Sequence, residues 1–262
     1  MVVKRRNLAN RQNPSVVRER HLYGVHVVAE WLRAQPAQVI TVHYESRATK
    51  RLAPLLRTAS AAGVAVQVSG EPQLTSLAGT NRHHGVVAVV RPFPYVDLDQ
   101  VISRRHQLLV LADQIQDPHN LGALIRTAEA VGAGAVILPK DGAVPITATV
   151  EAAAAGAAAL EPVCRVTNIA RTLLALKRCG YWSMALIPSG GSDLYLAELP
   201  QPAVVVVGGE AGLRPLVAAH CDVAVSIPMR GKVESLNASI AAAVALYELF
   251  RRCEGFRRGE RK

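Results

Sequence analysis

Five apolar runs in the second half of the chain constrain its fold most strongly. They alternate with stretches of helical character and cover residues 107–112, 135–139, 182–187, 203–207 and 223–227. Runs that are apolar at nearly every position are typical of strands buried on both faces, as in a parallel sheet covered by helices. Apolar residues at helical spacing follow at the end of the chain. The pattern therefore predicts an α/β fold with a parallel sheet and a last helix over residues 234–250.

The first part of the chain contains a smaller α/β pattern. Strands are predicted at residues 39–44, 64–68 and 85–90, with a helix over residues 47–62. Pro92 and Pro94 then interrupt any helix, because proline lacks the amide hydrogen and its ring clashes with the preceding turn. We therefore predict a basic arm at 1–20, a domain at 21–90, a linker at 91–99, a second domain at 100–250 and a basic tail at 251–262.

The positive charge is concentrated at the two ends of the chain. The net charge is +10, and residues 1–20 hold six Lys or Arg against one Glu, while residues 251–262 hold six against two. Basic ends on a nearly neutral body suit contact with the phosphates of a nucleic acid, because neutralised phosphates release counterions. Solubilising tails would have the same composition. Charge alone leaves both interpretations open.

Composition excludes several classes of protein. No apolar run approaches the roughly 18 residues that a membrane span needs, and the basic N-terminus lacks the apolar stretch of a secretory signal. The four cysteines are widely spaced and form no C-x-x-C pair, which argues against a zinc site and a disulfide framework. We therefore expect a cytoplasmic protein with no membrane partner and no metal.

Three polar segments follow predicted strands, where open α/β sheets place their ligands. They read DPHNLGALIRT (residues 117–127), VGGEAGL (207–213) and IPMRGKVESLNAS (227–239). Each has a structural interpretation as well. The first and third fit the capped start of a helix, with Asn120 available as a cap in the first and Ser235, Asn237 and Ser239 in the third. The second fits a tight strand-to-helix connection. The glycine-rich segment lacks the Lys-Ser/Thr of a phosphate-binding P-loop, which excludes that type of nucleotide site.

In this order and spacing, the three segments resemble the three motifs of the SpoU (TrmH-like) RNA methyltransferase family of the SPOUT class. The segments LYGVH (22–26), NRHHGVVA (81–88) and HCD (220–222) extend the likeness to the family members that modify a guanosine in 23S rRNA. The resemblance implies an L30e-like α/β domain at the N-terminus, then a methyltransferase domain with a C-terminal trefoil knot. It also implies a homodimer.

The resemblance further implies transfer of a methyl group from S-adenosylmethionine to a ribose 2′-OH in RNA, not DNA, with a guanosine of 23S rRNA as the expected target. Alternatives are a tRNA or another rRNA position. A non-catalytic RNA-binding factor for ribosome assembly is a different class of function. Such a factor would be expected to have lost Arg126, Glu210 and Asn237, and all three are present.

The resemblance also assigns residues to the site. Arg126 is the expected catalytic centre at the ribose, where a cationic guanidinium would orient phosphate and stabilise the developing alkoxide. The alternative is that unusual surroundings make Arg126 a base. Four polar residues would order that site, namely Asn120, Glu210, Ser235 and Asn237. The cofactor slot, apolar and rich in main-chain groups, corresponds to Gly208, Ile227 and Leu236.

Two departures from the family pattern stand out. Residues 210–213 make the second motif one residue short, and His84 stands where the family commonly has Gln. The pair His83 and His84 could suggest a metal site, but no Cys or acidic residue lies at ligand spacing. We therefore expect that pair to form a turn at the edge of the first domain.

Overall fold

The computed structural model describes residues 19–252, and its N-terminal unit is built on a four-stranded sheet. The strands are β1 (Arg20–Tyr23), β2 (Val39–Tyr44), β3 (Ala65–Val68) and β4 (Val86–Val90), and the helices are α1 (Val25–Ala34), α2 (Thr49–Ala61) and α3 (Glu71–Ala78). The strand order is β1-β4-β2-β3, with β4 antiparallel to both neighbours and β2 parallel to β3.

Helix α1 shows why this unit folds. Its buried residues Val27, Val28, Trp31 and Leu32 recur at intervals of three and four, which gives the helix one apolar face. That face packs with Leu22 of β1 in the main hydrophobic core. Strand β1 and helices α1 and α3 were not among the predicted elements.

The C-terminal unit is built on a seven-stranded sheet in which every neighbouring pair is parallel. Its strands are β5 (Leu108–Asp113), β6 (Val136–Pro139), β7 (Val163–Val166), β8 (Trp182–Leu186), β9 (Ser192–Asp193), β10 (Ala203–Gly208) and β11 (Val223–Ser226). Its helices are α4 (Leu98–Ser103), α5 (Pro118–Ala130), α6 (Ala148–Ala153), α7 (Ile169–Arg178), α8 (Pro215–Ala219) and α9 (Ala238–Arg252). The strand order is β7-β6-β5-β10-β8-β11-β9.

Helices cover both faces of this sheet. Helices α5, α6 and α9 pack on one face in a core that continues into the N-terminal unit, and α4, α7 and α8 pack on the other. Every residue of β5, β6 and β10 is buried. The predicted α/β class with a parallel sheet is therefore confirmed, and the five apolar runs are β5, β6, β8, β10 and β11. The trefoil knot stays a prediction.

The last helix begins later than predicted. It starts at Ala238, four residues after the expected start, and continues to Arg252. Residues 234–237 remain outside the helix because the side chain of Asn237 accepts hydrogen bonds from the amides of Ser239 (2.9 Å) and Ile240 (3.4 Å), as a residue at a helix N-terminus does. The late start keeps this segment at the carboxyl edge of the sheet.

The segment predicted as a linker is packed against the C-terminal unit. Phe93 is buried, and the amide of Val96 donates to the carbonyl of Val163 at the start of β7, at 2.9 Å. Helix α4 already begins at Leu98.

No helix within residues 19–252 combines the length and the apolar character needed to cross a membrane.

Candidate active site

A pocket lies at the carboxyl edge of the parallel sheet, where the three polar segments meet. It encloses about 320 Å³, within the size range of small-molecule sites. Its lining combines seven residues singled out in the sequence with neighbours from other strand ends. The lining residues are Asn120, Leu186, Ile187, Pro188, Val207, Gly208, Gly209, Glu210, Gly212, Ile227, Met229, Ser235, Leu236, Asn237, Ala238 and Ala241.

Asn120 reaches the pocket from the first turns of α5. The helix begins at Pro118, and its cap is Asp117, whose carboxylate accepts from the amide of His119 at 2.9 Å. The interpretation of Asn120 as a cap is therefore wrong. Because Asp117 does the capping, the side chain of Asn120 is available for other contacts, and only 7% of the residue is exposed.

Asn237 joins the third segment to the first. Its Nδ2 donates to Oδ1 of Asn120 at 2.8 Å, while its own Oδ1 accepts from the hydroxyl of Ser239 at 2.7 Å. The capping interpretation of the third segment is therefore confirmed at Asn237, whereas Ser235 is exposed in the loop before α9. The paired amides fix the start of α9 against α5 at one wall of the pocket.

The glycine turn forms a second wall. Glycine is required at position 208 because a Cβ there would lie 2.5 Å from both the carbonyl oxygen of Gly212 and the amide of Leu213. A Cβ at Gly209 would collide with the carbonyl of Gln114. Gly212 has φ +79°, a conformation that glycine adopts without strain, and its amide donates to Gly209 at 2.9 Å. The short second motif therefore forms a tight turn. Its glycines are needed because other backbone segments lie too close for a Cβ atom.

This turn is supported by an ion pair whose two residues were not singled out in the sequence analysis. Asp113 ends β5 and is fully buried, and its carboxylate accepts from Nη2 of Arg214 at 2.6 Å and from the amide of Arg214 at 3.1 Å. Asp113 pairs in register with Gly208. The sequence signal was an acidic residue at the end of an apolar run, where a charge needs a partner.

The pocket fits a cofactor with an apolar face and a polar edge. Side chains of Leu186, Val207, Ile227 and Leu236 line it, and the backbone amides of Ile227 and Leu236 form no hydrogen bond with any described residue. Free main-chain groups beside apolar walls can recognise the edge of a base while the walls hold its faces. The assignment of Gly208, Ile227 and Leu236 to an S-adenosylmethionine slot stays a prediction.

Comparison with known proteins decides the family. The protein-family model described as "SpoU rRNA Methylase family" matches residues 107–247 of the sequence. A second family model, "RNA 2'-O ribose methyltransferase substrate binding", matches residues 21–96. The chain belongs to the SpoU rRNA methylase family. The resemblance of its three motifs is thereby confirmed.

Curated relatives in this family match nearly their whole length. The 23S rRNA (guanosine-2'-O-)-methyltransferase RlmB of Vibrio cholerae is 39% identical over 236 residues, which cover 88% of this chain and 96% of the relative. The enzyme of the same name from Ralstonia nicotianae is 41% identical over 235 residues, which cover 88% and 94%.

Solved structures of SpoU proteins share the fold. The SpoU methyltransferase AviRb from Streptomyces viridochromogenes, in complex with the cofactor AdoMet (S-adenosylmethionine), has a TM-score of 0.76 and 29% identity, covering 93% of this chain and 94% of that chain. The TrmH/SpoU tRNA modifying enzyme from A. aeolicus has a TM-score of 0.51 and 28% identity, covering 60% of this chain and 83% of that one.

Arg126 is the one expected site residue that does not line the pocket at the carboxyl edge of the sheet. It lies six residues after Asn120 on α5, which turns it about 120° around the helix axis and places it roughly 9 Å further along. Arg126 is exposed and forms no hydrogen bond or ion pair with any described residue. Glu210 and Ser235 are likewise exposed without such partners, but both border the pocket.

The two histidines form a turn away from this site. The amide of Gly85 donates to Nδ1 of His83 at 3.1 Å, so the proton is on Nε2, which lies 3.2 Å from the hydroxyl of Thr75. His84 has φ +51° in the same turn. Within residues 19–252, no group of three or more His, Cys, Asp or Glu side chains is arranged to hold a metal ion.

Proposed function

We propose that this chain methylates the ribose 2′-OH of a guanosine in 23S rRNA, with S-adenosylmethionine as the methyl donor. The observation that carries this proposal is the convergence of the three SpoU segments on one pocket. Relatives named for the 23S rRNA guanosine reaction are similar over 94–96% of their own length, which favours this RNA over tRNA. The tRNA modifying enzyme covers 60% of this chain.

The pocket residues have distinct roles in this proposal. Gly208, Ile227 and Leu236 hold the cofactor, which supplies a methyl group on a positively charged sulfur. Asn120 and Asn237, joined by their 2.8 Å hydrogen bond, keep the two helix starts at a fixed separation beside it. Glu210 and Ser235 are exposed at the rim, where they can bind polar groups of the target nucleotide.

Arg126 acts on the RNA and not on the cofactor. It is exposed and without a partner among the described residues, so its guanidinium is available for a phosphate or for the ribose oxygen as that oxygen loses its proton. Methyl transfer needs the oxygen within roughly 3 to 3.5 Å of the methyl carbon and in line with the leaving sulfur. The main task of these side chains is therefore to position the nucleotide.

The remaining parts of the proposal concern RNA contact and assembly. The unit at residues 21–90 binds the substrate RNA, and the basic ends at 1–20 and 251–262 add phosphate contacts. The protein acts in the cytoplasm, where ribosomal RNA is modified. It forms a homodimer through the face of α9 that leaves Ile240 54% and Tyr247 52% exposed. These two residues are seven apart and therefore lie on one face of the helix, where a second copy would cover them.

The methylation proposal is tested with Arg126→Ala. We expect loss of methyl transfer to 23S rRNA transcripts by at least about 100-fold, the scale of removing one stabilising group at a transition state, while the Kd of S-adenosylmethionine stays within about threefold. The matched control is Arg178→Ala, which removes an exposed arginine from α7. Full activity of Arg126→Ala would overturn the assigned role.

The substrate is tested by mapping ribose methylations in rRNA and tRNA from cells lacking the gene. We expect one guanosine of 23S rRNA to lose its methyl group. Loss from a tRNA would overturn the proposed substrate, and an unchanged map with defective ribosomes would indicate an assembly factor.

The homodimer is tested by light scattering. The double variant Ile240→Lys with Tyr247→Lys should have the mass of a monomer.

A further inference from the structure

A polar cluster lies between the two units and away from the pocket. It contains Arg20 of β1, Trp31 of α1, Phe93 and Glu151 of α6. The carboxylate of Glu151 is fully buried and accepts from Nη1 of Arg20 at 3.0 Å and from Nε1 of Trp31 at 2.9 Å. We call these four residues the interdomain cluster.

The two charges of the interdomain cluster belong to different units, and each is paired with the other. The guanidinium of Arg20 lies 5.3 Å from the ring of Trp31 and 5.2 Å from that of Phe93, so aromatic faces surround the cation. Burial raises the pKa of Glu151, and the contacts with Trp31 and Arg20 act in the opposite direction. Both donors to the carboxylate belong to the N-terminal unit. Separation of the units would remove both donors from the carboxylate.

Further contacts hold α1 against the segment after α6. Gln35 donates from Nε2 to the carbonyl of Ala159 at 2.7 Å. A Cβ at Gly156 would lie 2.8 Å from the side chain of Glu30, so the glycine permits a close approach of the two units. The main hydrophobic core runs through the same boundary.

Helix α6 transmits this fixed position to the active site. It packs directly on α5, where a Cβ at Gly122 would lie 2.7 Å from the carbonyl of Val150. Gly122 is two residues from Asn120 and four from Arg126 on the same helix. The interdomain cluster is therefore joined to the helix that carries the proposed catalytic residues through one helix–helix contact.

We propose that Glu151 is a positioning residue for RNA methylation: it fixes the N-terminal unit on the α5–α6 pair, so that RNA held by that unit presents its ribose to the pocket. This inference rests on the proposed function. Glu151 touches neither the pocket nor any exposed RNA-binding surface, so its effect on the reaction passes through the orientation of the two units. RNA affinity and cofactor affinity are then independent of it, but the rate of transfer within the bound complex is not.

The test uses Glu151→Gln in the full chain, because the amide keeps the shape and cannot neutralise Arg20. We expect the single-turnover rate on 23S rRNA to fall at least about tenfold, while the Kd values of RNA and S-adenosylmethionine stay within about threefold. Small-angle X-ray scattering should show a larger radius of gyration. Trp31→Phe, which removes one donor and keeps an aromatic ring, should change the rate and the scattering in the same direction by less.

The control is Glu248→Gln, which makes the same change in a buried carboxylate that pairs with Arg251 and Arg252 of its own helix. Its transfer rate and scattering should match those of the unaltered protein. A wild-type transfer rate in both Glu151→Gln and Trp31→Phe would overturn the positioning role, as would a loss of rate without any change in scattering. Absence of methyl transfer in the unaltered protein would instead overturn the proposed function.

Discussion

Asp113 and Arg214, 101 residues apart, form an ion pair that ties the end of β5 to the residue after the glycine turn. Nε and Nη2 of Arg214 both donate to Oδ1 of Asp113, at 3.0 and 2.6 Å, and its backbone amide donates to Oδ2 at 3.1 Å. The carboxylate is fully buried and the arginine side chain is 42% exposed. The pair thereby fixes both ends of the turn that forms one wall of the pocket.

Asp113→Asn should weaken the cofactor site and the fold together. Removal of one partner from a buried ion pair typically costs about 3 to 5 kcal/mol, and we expect the lower part of that range because Arg214 is partly in solvent. We also expect the Kd of S-adenosylmethionine to rise at least about tenfold, as measured by calorimetry beside urea unfolding.

Asp222→Asn is the control for that prediction. Asp222 pairs with Lys177 at 2.8 Å and accepts from the amide of Ser183 at 2.8 Å, at the amino edge of the sheet opposite the pocket. This variant should lose stability and keep the cofactor Kd. Equal cofactor affinity in both variants would show that the Asp113–Arg214 pair has no influence on the pocket.

Gly208→Ala should disturb the pocket with a single methyl group. The new Cβ would lie 2.5 Å from backbone atoms of Gly212 and Leu213, so the turn must move. We expect a loss of about 1 to 3 kcal/mol in the free energy of unfolding, typical of overpacking, and a weaker Kd for the cofactor. Gly231→Ala is the matched control, because a Cβ there meets no atom within 4 Å. If the two variants bind cofactor equally well, the turn is not part of the site.

The sequence predicted the sheet because burial on both faces leaves a direct signal. The five apolar runs became parallel strands, and parallel strands place their carboxyl ends at one edge, which brought the three polar segments together. Local patterns were sufficient for that result. They also explain the error at the start of α5, since Asp117 acts as the cap where Asn120 was an equally acceptable residue.

Contacts between distant residues were beyond the sequence patterns. The pairing of Asn120 with Asn237 spans 117 residues, and no periodicity specifies which side chains will face each other. The role of Arg20 was missed for the same reason: it was counted with the basic arm, yet it lies in β1 and pairs with Glu151. A charge count does not distinguish an exposed cation from one enclosed by two aromatic rings.

Glu161 should make stability depend on pH. Burial, and next the nearby charge of Glu129, raise its pKa to about 8, and its Oε1 is buried without a partner. The folded protein therefore binds this proton more tightly than the unfolded chain. Its contribution is fully present below about pH 4.5, the usual value for a glutamate, and is lost as the pH rises toward about 8.

Glu161→Gln should remove that dependence, because an amide does not ionise. Unfolding in urea should give free energies within about 1 kcal/mol of each other for the variant and the unaltered protein at pH 5, and an advantage on the order of 4 kcal/mol for the variant near pH 8. Glu198→Gln removes an exposed carboxylate and should show no such trend. Parallel stability curves for Glu161→Gln and the unaltered protein would contradict the raised pKa.

The basic ends should contribute phosphate contacts that do not depend on sequence. Most of their residues lie outside the described range, and within it Arg20 pairs with Glu151 while Arg251 and Arg252 pair with Glu248. Deletion of residues 1–14 and 255–262 leaves these pairs intact. It removes eight cations, which are Lys4, Arg5, Arg6, Arg11, Arg257, Arg258, Arg261 and Lys262.

The measurement is the affinity for an rRNA fragment at several salt concentrations. Each lost phosphate contact should flatten the slope of log K against log salt by about 0.7 to 0.9, because fewer counterions are released on binding. Cofactor affinity and unfolding should be unchanged, since all of residues 19–252 remain. An identical slope for the shortened and full-length proteins on the same RNA would show that the ends act as solubilising tails and that residues 15–254 supply the whole electrostatic contribution to RNA binding.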